Sequence, residues 1–371
     1  MKLGRVLLAV CIMITMLSGC WDQQLLNQDK IAYVLGFDLT PDGKIQSTTS
    51  LLDIGSSQSG SKQVNEIHSV IGNTSRHTRE LIDREVSGRV SSSKLRVILI
   101  GEELAKQGIY PILDVFYRDP KSALNARIAV VEGSAHDAIN LKLTGTSLVG
   151  EYFYDLVRSA EQRTIVPKVN LQLVCSSMLD PGQDFAAPYI SKNNEHPSIA
   201  GAALFQGDRM RGTLNTDESL LYMLMKNQLS KTASLTIKSN REGEQKPENY
   251  ITLDIQKIKR TMKVGTQGQR DIDVRMNIKL KVTAIEYPRD HLYNLQKLDH
   301  LDEELSEELT RKAKVVVDKM LQAHHDGFEI GRRLIAFHSD TWINLNWKED
   351  YSKVHFTPLV DVEIVNYGIM N

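Results

Sequence analysis

Val6 to Leu17 is an apolar run broken only by Thr15; it follows Lys2 and Arg5 and leads into Leu17-Ser18-Gly19-Cys20. This segment partitions the chain before any fold is considered. A positive start, a short greasy stretch and small residues ahead of a cleavage point form a secretory signal. The 12-residue run is too short to span a bilayer, which takes about 20 apolar residues. A cysteine directly after Leu-small-small is a bacterial lipobox. It assigns S-diacylglycerol and N-acyl groups to Cys20 once residues 1–19 are removed. Each buried CH₂ contributes about 0.8 kcal/mol, and two chains anchor stably where one does so only marginally. No second apolar run of spanning length follows. The expectation is an ectodomain starting at Cys20 and hung by lipid on the outer face of a cell membrane.

Removal of residues 1–19 leaves 352 of the 371 residues, enough for two or three cored domains. Hydrophobic content of 41% and charged content of 25% are those of a globular chain. Formal charge moves from −1 to −3 with the loss of Lys2 and Arg5. No basic stripe dominates, which argues against nucleic acid as a partner. Cys11 departs with the signal and Cys20 is acylated, so Cys175 is the one thiol left and no internal disulfide forms. The expectation for Cys175 is a small buried hydrophobe.

Ile31–Leu39 and Lys44–Leu52 read as strands joined by the turn Thr40-Pro41-Asp42-Gly43. A helix capped by Asn73 or Thr74 runs to about Val86, and Leu95–Ile100 is a buried strand. Ile109–Tyr117 reads as helix with Pro111 in its first turn, Arg127–Val131 as strand, Ala135–Leu143 and Leu148–Ala160 as helices. Lys168–Cys175 alternates apolar and polar residues and reads as strand. The polar stretch Ser191–Pro197 is the best domain boundary. Beyond it, Ile199–Phe205 and Met210–Leu214 flank the Gly207-Asp208 turn, and Asn215 or Thr216 caps a helix. Strand-like segments follow at 233–238, 250–264 and 272–285, the last with the clearest period of two. Leu295–Ala323 is a helix with Leu301, Leu305, Leu309, Val316 and Met320 on one stripe, and Val360–Tyr367 gives a last strand. The fold class is α+β or mixed α/β: tandem domains with mixed, partly antiparallel sheets and packed helices. The divisions are 20–195 and 196–371, with 199–230 as a candidate subdomain of its own.

Chemistry is hard to find. No phosphate-cradling glycine loop and no G-x-S-x-G elbow occur. His324-His325-Asp326 is the nearest thing to a metal cluster, but neighbours on a helix point about 100° apart, so it reads as a solvated helix end. Glu303-Glu304 and Glu307-Glu308 read as a charged face turned away from the leucine stripe. No catalytic, cofactor-binding or metal-binding residue is assigned, and the chain is expected to be no enzyme and to need no cofactor. Trp21 sits where an indole favours the headgroup interface. Trp342 and Trp347 suit packing on the leucine stripe, with an aromatic partner patch as the lesser reading.

Cys20-Trp21-Asp22, a short polar stretch and the strand ending Leu35-Gly36-Phe37-Asp38 resemble the N-terminus of the Ger(x)C lipoproteins, the C subunits of spore germinant receptors. Gly201-Ala202-Ala203-Leu204-Phe205, Asp208 and Gly212-Thr213-Leu214 resemble the opening of that family's C-terminal domain. Asp326 to Gly331, Trp342, Trp347 and Gly368 fit its close. The resemblance implies tandem mixed α/β domains, three by structure. It also implies a non-catalytic subunit of a nutrient germinant receptor, on the outer leaflet of the spore inner membrane beside the membrane-embedded A and B subunits. The alternative is a solute-binding lipoprotein of a membrane transporter, which would favour largely parallel sheets over the hairpins read here.

Overall fold

The unbroken apolar run Val97-Ile98-Leu99-Ile100 has no polar side to turn to water, and it lies in the middle of a sheet covered on both faces. The computed structural model describes residue 4 and residues 29–53, 65–141, 148–193, 196–238, 246–268, 271–289 and 292–367. Two sheets organise them. The larger contains β1 (Asp29–Leu39), β2 (Ile45–Asp53), β3 (Asn65–Gly72), β4 (Arg89–Ser91), β5 (Val97–Gly101), β6 (Arg127–Val131), β7 (Ala186–Asn193), β8 (His196–Gln206) and β9 (Arg209–Asn215). Their order is β3-β2-β1-β5-β6-β7-β8-β9, with β4 beside the start of β1. The centre β1-β5-β6-β7 is parallel and both flanks are antiparallel.

Helices close both faces. On one, α2 (Glu102–Gln107), α3 (Tyr110–Arg118) and α6 (Leu171–Leu179) pack on Ile98, Ile100, Ile128 and Val130. On the other, α4 (Ala135–Ile139) and α5 (Val149–Gln162) pack on Val97, Leu99, Ala129 and Val131. At the edge, Ile82 of α1 (Ser75–Glu85) meets Ala32, Leu51 and Val70. The turn, cap and strand expectations for residues 31–162 agree with these elements; β3, β4 and α2 were not foreseen.

The expected strand at 168–175 is wrong. Asn170 accepts the Leu173 N–H (2.9 Å) and caps α6, and Leu171 and Val174 supply the buried face while Leu173 points to water. Alternation over so short a run coincided with a helix's i, i+3 spacing. Cys175, expected buried, is half-buried on the flank of this helix.

The expected division between 195 and 196 falls between β7 and β8, and those strands pair antiparallel across it. β8 then serves two cores. Ala203 and Phe205 face the first, while Ala202 and Leu204 join α7 (Thr216–Met225) in a second. That second core is floored by a four-stranded sheet, β10 (Ser234–Lys238), β11 (Tyr250–Gln267), β12 (Asp271–Glu286) and β13 (His355–Asn366). In β12 every second residue from Ile272 to Ala284 is buried, as its period of two requires. The stripe of α8 (Leu295–Gln322) covers this face. Glu308, expected in water, is buried and paired with Arg311. No helix among the described residues is long and apolar enough to cross a membrane.

Helix α8 also protects the edge of its sheet. Asp302, Ser306 and Thr310 recur every four residues and accept the N–H groups of Ile364 (3.1 Å), Val362 (2.9 Å) and Val360 (2.9 Å). Four helical residues rise about 6 Å and two strand residues about 6.6 Å, so the two ladders stay in step. Edge N–H groups left open invite strand addition. The double variant Ser306→Ala/Thr310→Val should lose about 2–3 kcal/mol in urea unfolding, from about 1 kcal/mol or more per unsatisfied group. Exposed Glu303→Ala should lose under about 0.5 kcal/mol. A double variant no weaker than that control would remove the ladder from the account.

Candidate functional site

Cys20, the one residue to which the sequence assigns a modification, and Trp21 lie outside the described residues. Among the described residues, no three His, Cys, Asp or Glu side chains converge to hold a metal. Some of the residues that carried the resemblance, Phe205, Asp326 to Gly331 and Trp347, meet at a buried polar junction between β8 and the end of α8.

The local cause is a helix stop. Helix α8 ends at Gln322, and His324 takes the left-handed conformation (φ 51°). This turns His325 and Asp326 inward, so the expected solvated helix end is wrong: both are almost fully buried. His325 Nδ1 lies 2.7 Å from the Phe205 carbonyl, which can only accept, so Nδ1 carries the proton. Nε2 is thereby an acceptor for the Tyr222 hydroxyl of α7 at 3.1 Å. Burial depresses the imidazole pKa to about 3, and His325 is neutral.

Asp326 has more partners. Its carboxylate accepts the N–H groups of Ile330 (2.9 Å) and Gly331 (2.7 Å), which open α9 (Ile330–Phe337), and the Trp347 indole N–H (3.0 Å). Its backbone N–H donates to Asp184 Oδ2 (2.8 Å), and its carbonyl accepts the Asp184 N–H (2.9 Å). Asp184 Oδ1 accepts the Gly207 N–H at 2.7 Å. The loop before β7, the β8–β9 turn and the approach to α9 are thus stitched together. Trp347 opens the short α11 (Trp347–Asp350), which follows α10 (Ser339–Trp342), and packs edge-on against Tyr351.

Glycines allow the close approach. A Cβ on Gly331 would sit 2.6 Å from both Gly182 Cα and the Trp347 indole nitrogen, and one on Gly327 would collide with Tyr222 and His325. At the end of β1, Asp38 caps α4 by accepting the N–H groups of Ala135 (2.8 Å) and His136 (2.7 Å). Gly36 beside it admits Ile139 and Ala135 against β1. Asp184, Tyr222, His325, Asp326 and Trp347 are all engaged inward, while the Tyr351 hydroxyl is buried without a hydrogen-bond partner. What the arrangement does is hold elements together.

Burial raises the pKa of Asp326 to about 7 and that of Asp184 to about 6, against several N–H donors that favour the charged form. A carboxyl raised on folding contributes fully below its unfolded value near 3.8, and that contribution is lost as pH rises through 6 to 7. His325 has the opposite sign, its contribution being present above 6.5 and lost as pH falls toward 3. Asp326→Asn, which cannot titrate, should therefore cost more stability at pH 4.5 than at pH 8 in denaturant unfolding. A cost that grows with pH would show the carboxylate to be held ionised instead.

Residues 22–192 match the family described as "Spore germination protein N-terminal domain", and residues 200–368 match "Spore germination B3/ GerAC like, C-terminal". The chain is 21% identical over 359 residues to the spore germination protein GerQC of Bacillus cereus, covering 96% of this chain and 97% of that one. It is 22% identical over 381 residues to spore germination protein B3 of Bacillus subtilis (strain 168), covering 99% of each. The crystal structure of the GerBC protein matches with a TM-score of 0.60 at 19% identity, over 90% of this chain and 97% of that one, and has the same fold. Both halves match in order and together span nearly the whole chain: it belongs to the GerAC-like family of spore germination proteins.

Proposed function

We propose that this chain is a non-enzymatic, lipid-anchored C subunit of a spore germinant receptor, needed for nutrient-triggered germination and assembled with the membrane-embedded A and B subunits. The observation that carries the reading is that both family domains are present behind a lipobox cysteine. The inward engagement of the junction residues supports a scaffold in preference to a catalyst. In this reading the acyl chains on Cys20 confine the ectodomain to a thin layer on the outer face of the spore inner membrane. Confinement raises its effective concentration against membrane partners without any new contact. Its surfaces then stabilise one state of the receptor, while nutrient binding falls mainly to the other subunits.

The test is affinity capture of the tagged protein from spore membranes, with Cys20→Ala alongside. The expected result is recovery of two membrane subunits with the wild-type chain and their loss or depletion with Cys20→Ala. Recovery of a permease and an ATPase would overturn the reading in favour of a solute-binding lipoprotein.

A further inference from the structure

Where β1 begins, α1, β4 and the turn after α3 enclose an open bowl of about 430 Å³. Arg76 and Arg79 reach it from α1, Arg89 from β4, Arg118 from the last turn of α3, and Lys121 from the turn. The one carboxylate in its lining is Asp119, and Ser91, Ser92 and Ser93 supply hydroxyls. Five cations against one anion is a local reversal in a chain whose formal net charge is −1.

The bowl is built as well as charged. Arg79 is pinned by donating to the Val90 carbonyl (3.0 Å), with Asp119 Oδ2 at 3.5 Å. Arg76 and Arg118 pair with Glu80 and Asp114 of their own helices. Those are exposed i, i+4 pairs of the kind worth only about 0.3–0.5 kcal/mol, so a ligand can draw them away. A monocarboxylate would meet too few of these donors. A phosphate group offers several oxygens and takes guanidinium forks two bonds at a time. Behind the bowl lies an apolar crevice of about 40 Å³ reaching Phe37 and Phe116. It is far too small for an acyl chain, so a lipid could be held here only by its head.

Position supplies the rest. Arg89 pairs in register with Asp29 at the first described residue of β1. Asp29 stands nine positions after Cys20, a length that spans at most about 30 Å. We propose that this bowl is a phosphate-binding site, and that in the anchored protein the phosphate it meets is that of an anionic lipid headgroup. The anchor would then tether the ectodomain, and the bowl would fix which face turns to the membrane. The headgroup assignment rests on the anchored reading of Cys20, whereas the phosphate site itself does not.

The experiment uses the full chain in a neutral detergent, titrated with short-chain dihexanoyl phosphatidylglycerol, dihexanoyl phosphatidylcholine and inorganic phosphate. Saturable phosphatidylglycerol binding should exceed that of the other two and weaken about tenfold or more in Arg76→Gln/Arg89→Gln. It should persist in Lys297→Gln/Lys314→Gln, two exposed charges on α8, a helix that lines no part of the bowl. Cys20→Ala should bind equally well in detergent, so a failed anchor and a failed pocket give different results. Inorganic phosphate binding as tightly as phosphatidylglycerol would overturn the headgroup assignment. Equal losses in both double variants, or no saturable binding, would overturn the site.

Discussion

The fold turns on one exchange of hydrogen bonds between two loops. Asp184 and Asp326 pair backbone to backbone and side chain to backbone, and each carboxylate then reaches on to a third segment. This exchange acts beside the apolar contacts of β8 and α7, the His325–Phe205 bond, the Arg332–Asp180 ion pair and the bonds from Thr164 and Ser219 to the segments that face them. The apolar contacts are non-directional, and apolar area alone does not fix a register. The buried polar network does, because each donor has one acceptor within reach, and leaving any of them unpaired costs about 1–3 kcal/mol.

The same constraint accounts for the small and polar residues at the junction. Gly182 and Gly331 let two backbones touch, Gly327 makes room for the Tyr222–His325 pair, and Asp326 gathers three N–H donors. Asp38 and Gly36 do the same work on a smaller scale at the end of β1. These are contacts of assembly, which is what the proposed scaffold role would require.

Periodicity made much of the architecture legible. The alternation from Ile272 to Ala284, the stripe on α8, the Pro-Asp-Gly and Gly-Asp turns and the run at 97–100 all have one physical solution each. Segment 168–175 failed because eight residues admit both periods, and the Asn170 cap was the signal that decides between them. The end of α8 was read to within one residue, but His325 and Asp326 were misplaced because the left-handed His324 turns the chain inward just beyond it, and a run of polar residues had read as facing water. Asp184 was invisible: it lies far along the chain from its partner and carries no local pattern. The arginine bowl was missed for the same reason, its members coming from residues 76 to 121 on four separate elements.

Three scales of holding recur: side chains clasping a strand edge, two loops clasping each other, and acyl chains proposed to clasp the bilayer. The middle one bears on all the rest. The most direct measurement is native-state hydrogen exchange in rising, sub-denaturing urea, following the amides of Asp184, Gly207, Asp326 and Gly331. If the junction unites the two layers, these amides exchange only by global unfolding, with the same free energy and urea dependence as core amides of β5 and β12. Exchange through an earlier opening, while β5 and β12 stay protected, would contradict it.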